Sequence, residues 1–211
     1  MKVGTIVAEF PATARVFENH GLDYCCGGKR TLSDACAAKK VDPAKIVQEL
    51  GTAAAVPVSG ERNWSDASMT ELADNIERTH HDWLRSELPR LSGLTRKVAS
   101  VHGENHPELL QVAQVFEDLA VEMFSHMQKE EKVLFPTLRA IERGENVPVN
   151  VGQPISCMMH EHDDAGKALE RMRALTNGYA PPEGACNTYR VMLDGLKQLE
   201  QDMHVHVHKE N

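Results

Sequence analysis

The chain has 211 residues and a net charge of −8 at pH 7, a length that admits one large domain or one domain with a small module. The acidic charge, with no basic stripe, argues against nucleic acid as the main partner, and no stretch reaches the length of a membrane span. Aromatic residues make up only 5% of the chain, so the core must be built from aliphatic residues and methionine, which favours helices.

Residues 1–52 are predicted to form a small N-terminal helical domain. Thr31 and Asp42 are suitable caps for two of its short helices, and Pro43 suits the first position of the second. Residues 53–66 are predicted to be a linker, because they are small, polar and interrupted by proline and glycine. Roughly 50 residues form only a marginal core, so we expect this domain to pack against a partner or a larger domain.

Residues 67–211 show four long helical patterns joined by shorter loops. This arrangement predicts an all-α fold with a C-terminal antiparallel four-helix bundle. Pro89 and Pro136 are expected to disturb the first and second of these helices. The predicted helices run from Met69 to Val101, from Pro107 to Gly144, from Pro154 to Gly178, and from Cys186 to the C-terminal end.

The last helix carries histidines on two different faces. His206 and Glu210, four residues apart, continue its apolar stripe. His204 and His208 fall on the polar side and are predicted to lie on the surface. The row of three histidines therefore contains one buried candidate.

The other three helices also carry inward histidines. The second repeats the pattern with His126 and Glu130 on its apolar stripe, and the third turns His162 inward. In the first helix, the apolar residues that follow align with His81, and those that precede align with His80. The pattern slightly favours His81 but does not decide between these two neighbours.

One inward histidine per helix and two inward glutamates form a candidate metal site. A buried carboxylate is costly without a partner, and a pair of cations meets that need. Four imidazoles and two carboxylates suit two ions with bridging glutamates, of non-haem iron, manganese or zinc. Each feature alone has a simpler explanation. A single inward histidine can be a hydrogen-bonded core residue, and a single His–Glu pair can be an ordinary contact along a helix. The histidine-rich C-terminal end can be a surface tract that binds metal without a function. Agreement among four helices favours the metal site.

Several motifs resemble known families. The segments "HMQKEEKVLFP", "HEHDDAG" and "HVHKEN" are similar to the haemerythrin-like di-iron domain. The segment "LDYCCGGKRTL" is similar to the N-terminal module of the RIC family (repair of iron centres, the YtfE/ScdA/NorA/DnrN type). This resemblance covers nearly the whole chain. It implies a protein that restores iron–sulfur clusters damaged by nitric oxide or peroxide.

The resemblance also implies a ligand set and a cofactor. It favours His81 over His80, because the family's ligand precedes an aspartate, here Asp82. The implied cofactor is two non-haem Fe ions, bridged by two glutamates and by an oxo or hydroxo group. The implied metal ligands are His81, His126, Glu130, His162, His206 and Glu210, with Glu130 and Glu210 as the bridges.

Two further glutamates lie beside these ligands in the sequence. Glu122 and Glu161 are candidates for supporting the ligands or carrying protons, with solvated helix glutamates as the alternative. The family continues with an apolar turn after its last ligand, whereas this chain ends at Asn211. We therefore expect either a loosely held Glu210 or a truncated sequence.

The implied function is repair of damaged iron–sulfur proteins by iron donation, by nitric oxide chemistry, or by both. A sensor or store that binds O2 or nitric oxide is a second hypothesis, but it gives no reason for the CCGG module. Nitric oxide reduction and thiol redox activity are further alternatives, so enzymatic activity stays open. Neither nucleic acid nor a membrane is an expected partner.

Cys25 and Cys26 are the candidate reactive residues of the N-terminal domain. A disulfide between neighbours is strained, and redox sites use CxxC, so a thiol oxidoreductase is disfavoured. The pair is expected to handle iron or nitric oxide, to join two chains in a homodimer, or only to pack a turn. Because no export signal is present, we predict a cytoplasmic protein with five thiols, of which the other three are packing residues.

Overall fold

A computed structural model describes residues 1–25, 27–55, 64–147 and 151–211. Cys26 and most of the predicted linker therefore lie outside the described residues. Every regular element in the described ranges is helical, apart from an isolated antiparallel bridge between Lys2 and Thr31. The all-α prediction is confirmed. No described helix combines the length and the hydrophobicity that a membrane span requires.

Helices α1 to α10 follow one another along the described residues. They span Val3–Glu9 (α1), Ala14–Asn19 (α2), Leu32–Lys39 (α3), Pro43–Ala54 (α4), Met69–Ile76 (α5), Asp82–His102 (α6), Glu108–Lys129 (α7), Phe135–Glu142 (α8), Gly152–Leu175 (α9) and Asn187–Glu210 (α10). Short 3₁₀ turns cover Pro11–Thr13 and Trp64–Asp66. Two π-helical turns, Glu77–His81 and Glu130–Leu134, join α5 to α6 and α7 to α8.

One compact unit combines Met1–Ser68 with Met203–Asn211. Thr31 and Asp42 accept hydrogen bonds from backbone amides in the first turns of α3 and α4, so both predicted caps are confirmed. Helix α1, which sequence patterns did not predict, is fastened by a hydrogen bond from its first amide to the Arg30 carbonyl. The largest fully buried side chains of this unit are Tyr24, Phe17 and Ile46.

The second compact unit contains Met69–Asp202. In it, α7 packs against both α6 and α9, and α5 packs against α8. Helix α10 approaches α6 closely at Gly195, where a Cβ atom would lie only 2.6 Å from Leu91 Cδ2. As the composition predicted, the core is aliphatic and methionine-rich. It includes Leu84, Leu88, Leu91, Leu119, Met127, Met172 and Leu196.

The two π turns mark where the long helices depart from α geometry. Pro136 lies in the first turn of α8, two residues after the second π turn ends. It has no N–H, and its ring crowds the carbonyl group four residues earlier, which favours a departure from α geometry at this point. The predicted disturbance of the second bundle helix is confirmed. In the first, Pro89 lies inside α6, and the irregular turn is instead at Glu77–His81.

Candidate metal centre

The helices bring the predicted ligands into a buried cluster. His81 is the last residue of the first π turn and Glu130 is the first residue of the second, and π turns are frequent at functional sites. The side chain of Glu210, which was expected to be loosely held, is only 6% exposed. The remaining members come from α7, α9 and α10 and are also buried: His126, His162 and His206.

Two overlapping groups of four side chains each bring one ligand atom per residue within 4.8 Å of one another. The first group is His81, Glu130, His206 and Glu210, and the second is His126, Glu130, His162 and Glu210. Both groups contain the two glutamates that were predicted as bridges. All six side chains of the predicted ligand set are therefore present.

The contacts inside the cluster use the Nε2 atoms of the imidazoles. Glu130 Oε2 lies 3.2 Å from His81 Nε2, and Glu130 Oε1 lies 3.5 Å from His126 Nε2. His126 Nε2 is also 3.1 Å from His162 Nε2. Along α10, Glu210 Oε1 is 2.6 Å from His206 Nε2.

Hydrogen bonds to the Nδ1 atoms of His81 and His126 determine whether their Nε2 atoms carry a proton or a lone pair. His81 Nδ1 lies 2.7 Å from Glu131 Oε1, and His126 Nδ1 lies 2.8 Å from Glu161 Oε2. An ionised carboxylate only accepts hydrogen bonds, so Nδ1 of each ring carries the proton. In the neutral ring, Nε2 then presents a lone pair to the cluster.

When these rings are neutral and no metal is bound, acceptor atoms face one another at short range. Nε2 of His81 faces the carboxylate of Glu130, and Nε2 of His126 faces both that carboxylate and a second imidazole. Glu130 Oε2 is buried and accepts no hydrogen bond from the described residues. Such an arrangement is costly unless a cation lies among the acceptors. The donor set therefore fits a bound metal ion with imidazole and carboxylate ligands.

The two orienting carboxylates are themselves held by cations. Arg85 donates short hydrogen bonds to Glu131, and Lys129 donates one to Glu161. Burial raises the pKa of Glu161, but hydrogen bonds from Lys129 and His126 outweigh it and hold this pKa below its usual value. Glu161 therefore stays ionised at neutral pH.

Glu131 was missed because regular α spacing rotates it about 100° away from Glu130. The available signal was a second carboxylate directly beside a predicted ligand. Of the two predicted supporting glutamates, Glu161 contacts a ligand, whereas Glu122 is exposed on α7. Within the described residues, no hydrogen bond or ion pair joins Glu122 to the cluster.

His80 and His81 are both buried, which adjacent residues of a regular surface helix seldom achieve. The Nδ1 atom of His80 lies 2.8 Å from Asp202 Oδ1, so this histidine belongs to a separate contact. His81 is the member that enters the cluster. The sequence pattern left open which of the two histidines faces the cluster. The residue found there is His81, which the family resemblance favoured.

The described cysteines form no disulfide with one another. Cys25 and Cys36 are buried, and burial as a packing residue was predicted for Cys36. Cys157 and Cys186 are exposed, so the prediction that they are packing residues is wrong. They lie on the outer face of α9 and just before α10. Cys26 lies outside the described residues.

The prediction that His204 and His208 lie on the surface is also wrong. Both are half-buried, and the ring of Tyr24 packs against each of them. Burial lowers the pKa of His208, which keeps this ring neutral at pH 7. Their partner comes from the beginning of the chain and leaves no trace in the periodicity of α10.

Two family models match the chain. Residues 1–54 match ScdA_N, which is described as a domain of unknown function. Residues 72–211 match the hemerythrin HHE cation binding domain.

The chain is also similar to characterised proteins over almost its full length. The "Iron-sulfur cluster repair protein YtfE" of Pectobacterium atrosepticum is 37% identical over 213 aligned positions, covering 99% of this chain and 92% of that protein. The "Iron-sulfur cluster repair protein ScdA" of Staphylococcus haemolyticus is 36% identical, covering 99% and 93%. The YtfE protein of Escherichia coli O8 is 35% identical, covering 99% and 92%.

Proposed function

This chain belongs to the haemerythrin HHE cation-binding family and to the family of iron-sulfur cluster repair proteins, and we propose from this premise that it restores damaged iron–sulfur clusters in client proteins. The observation that carries the proposal is the buried pair of overlapping His–Glu groups. These groups fit metal ions, and iron is the metal that a damaged iron–sulfur cluster needs.

The proposed centre binds two iron ions. Support comes from the two four-residue groups, which share both glutamates, as a pair of bridged ions requires. Imidazole and carboxylate ligands suit non-haem iron, which supplies redox chemistry and a binding position for nitric oxide or O2. The proposed ligands are His81 and His206 for one ion, His126 and His162 for the other, and Glu130 and Glu210 for both.

The protein groups around the ligands have separate tasks in this proposal. Glu131 and Glu161 keep the proton of two imidazoles on Nδ1, so that Nε2 stays available for a metal. Arg85 and Lys129 keep these carboxylates in place. Burial of the cluster excludes bulk water, which strengthens each electrostatic contact within it.

Two chemistries are included in the proposed repair. In one, iron is cargo, and the centre gives it up to a client cluster that has lost metal. In the other, iron held by these residues would supply a binding position for nitric oxide that leaves the damaged cluster. Both need the same ligand set, and they differ in whether the protein ends with less iron.

The test uses an iron–sulfur dehydratase inactivated by nitric oxide. The iron-loaded protein is added to it, and recovery of dehydratase activity is compared with recovery from equal free iron and reductant. We expect recovery to exceed that control, to be lost with Glu130→Gln and to persist with the exposed-site variant Glu122→Gln. Recovery no greater than with free iron would refute the repair proposal. Iron remaining in the protein afterwards separates donation from nitric oxide removal.

Metal content and Mössbauer spectra test the two-iron assignment, using protein purified without a histidine tag. About two coupled irons per chain are expected. Zinc, or a single iron, would overturn the assignment.

The remaining parts of the proposal have separate tests. We retain 1–52, 53–66 and 67–211 as the proposed domain limits, supported by family matches over 1–54 and 72–211. A cytoplasmic location, a homodimer and thiol chemistry at Cys25 and Cys26 stay predictions. If a double Cys→Ala variant at these positions keeps its iron and full repair activity, the cysteines only pack the turn.

A further inference from the structure

The last two turns of α10 carry important side chains on two opposite faces. One carries His206 and Glu210, which are proposed metal ligands. The other carries His204 and His208, because residues two apart on an α-helix point in nearly opposite directions. A contact on the second face therefore bears directly on the backbone that carries the ligands.

Tyr24 makes that contact within the first compact unit. Its ring centroid lies 5.8 Å from that of His204 and 5.5 Å from that of His208, with both histidine rings meeting it edge to face. Such aromatic pairs stabilise beyond the area that they bury. One phenol ring thus spans a full turn of α10.

Tyr24 is itself firmly placed. It is 1% exposed, its ring lies 6.1 Å from Phe17, and its hydroxyl donates a hydrogen bond to Glu18 Oε1 at 3.0 Å. Burial, with the negative charge of Glu18, raises the pKa of Tyr24 well above its usual range. The hydroxyl therefore stays neutral, and the ring forms a fixed surface for the two histidines.

Two further contacts fasten the same end of α10. Asn211 Nδ2 donates a hydrogen bond of 3.3 Å to the carbonyl oxygen of Cys25. Lys209 Nζ lies over the ring of Trp64, 5.3 Å from its centroid, in a cation–π contact. Residues before, within and after the last turn of α10 are each in contact with a residue of Met1–Ser68, in the same compact unit.

A helix end without such contacts frays, because its last carbonyls lack intrahelical partners. Metal ligands, in contrast, must be held within a fraction of an ångström of their productive positions. We propose that Tyr24 is a positioning residue for the metal centre. It holds the end of α10 so that His206 and Glu210 stay in place, and loss of its ring contacts loosens both ligands together.

This inference rests on the proposed function, because it requires a bound metal. It also goes further, by giving the N-terminal domain a role in metal retention that does not depend on the chemistry of the cysteine thiols.

The test measures how fast a chelator removes iron from the loaded full-length protein. Tyr24→Ala is expected to speed iron removal about 5- to 30-fold. This range corresponds to a loss of about one or two kcal/mol from the free energy that holds the end of α10 in place. Tyr24→Phe, which keeps the ring, should release iron at nearly the wild-type rate. Amide hydrogen exchange over residues 203–211 should be faster in the alanine variant only.

A second variant guards against misfolding of the N-terminal domain. Changing both His204 and His208 to Ala removes the same contact from the helix side, and alanine does not weaken a helix. It should also speed iron release, whereas the exposed-site control His160→Ala should not. Wild-type release rates in both the Tyr24→Ala and the double-histidine variants would overturn the inference and leave the repair proposal standing. A wild-type protein that holds no metal would overturn both.

Discussion

Glu131 Oε1 lies 2.7 Å from His81 Nδ1, so a residue directly beside one proposed ligand orients another ligand on a different helix. Arg85 contacts the same carboxylate and fixes it in place. A basic side chain, a carboxylate and an imidazole therefore form a chain that ends at the metal centre. A similar chain runs from Lys129 through Glu161 to a second imidazole.

Glu131→Gln should weaken metal binding while leaving the fold intact. The amide can still accept a hydrogen bond from His81, but it lacks the charge that makes the imidazole a better ligand. Loss of such a supporting group typically costs 10- to 100-fold in metal affinity, and we expect about that range here. Competition with a chelator of known affinity measures it. Glu122→Gln, on the exposed side of α7, is the matched control, and an equal loss in both variants would contradict the role of Glu131.

Glu130→Gln should separate metal binding from the stability of the metal-free protein. Without metal, the buried carboxylate faces imidazole lone pairs, whereas an amide can donate hydrogen bonds to them. We expect the metal-free variant to be more stable than the metal-free wild type by about 1–3 kcal/mol. We also expect iron to stabilise only the wild type, by about 2.7 kcal/mol at a hundredfold excess over Kd. Thermal unfolding with iron or chelator measures both.

If the metal-free Glu130→Gln variant is instead less stable than the metal-free wild type, the cluster has a different protonation state in the absence of metal. It would mean that the carboxylate pairs with a protonated imidazole when metal is absent. The statement that the His81 and His126 rings are neutral in the metal-free protein would then be wrong.

Gly195→Ala should destabilise the helical bundle. Its new Cβ atom would lie 2.6 Å from Leu91 Cδ2, and Leu91 is fully buried and cannot move aside freely. Overpacking of this kind costs about 1–3 kcal/mol, of which the higher helix propensity of alanine offsets up to about 1 kcal/mol. Gly93→Ala on α6 is the control, because nothing lies within 4 Å of its Cβ position. In a helix interior that change should stabilise by up to about 1 kcal/mol, and urea unfolding should show shifts of opposite sign.

The pairing of α6 with α7 should weaken in acid. The hydrogen bond from Arg96 lowers the pKa of Glu117, and Ser92 also donates to this carboxylate. A carboxyl group whose pKa is lowered on folding stabilises the protein above its unfolded value, about 4.5. That stabilisation is lost as pH falls through the folded value. Because the Arg96 side chain is 67% exposed and solvent screens the pair, we expect less than about 1 kcal/mol.

Urea unfolding at pH 7 and at pH 3 measures this contribution. The Glu117→Gln variant should lose less stability between the two pH values than the wild type. Equal losses would show that Glu117 gains nothing from its partners on α6.

Helix ends and inward faces were predictable from sequence, because they depend on local signals. Thr31 and Asp42 mark their helix starts through side chains that accept amide hydrogen bonds. Asn177 and Gly178 end α9 through positive φ angles of 49° and 72°, the geometry that closes a helix. His126 and Glu130 could be paired because they share one uninterrupted stripe.

Contacts between distant parts of the chain were not predictable in this way. Tyr24 meets His204 and His208 only after folding, so their partly polar surroundings looked like an exposed face. Glu131 reaches His81 across two helices, whereas α spacing directed it away. Helix α1 was missed because its seven residues carry no capping side chain. Periodicity describes one helix at a time, and these contacts depend on how helices meet.

The π turn at Glu77–His81 also explains why the sequence could not choose between His80 and His81. Before this turn, Ala73 and Ile76 face the core, and after it Leu84 and Leu88 do. Counting four residues forward from Ile76 reaches His80, whereas counting three residues back from Leu84 reaches His81. The π turn between them contains one residue more than an α turn, so it brings both histidines to the buried side. When two hydrophobic stripes with different phases meet at adjacent histidines, the sequence therefore indicates a π turn with one inserted residue. Searches that tolerate a one-residue phase jump would locate such centres from sequence where uniform spacing leaves them undecided.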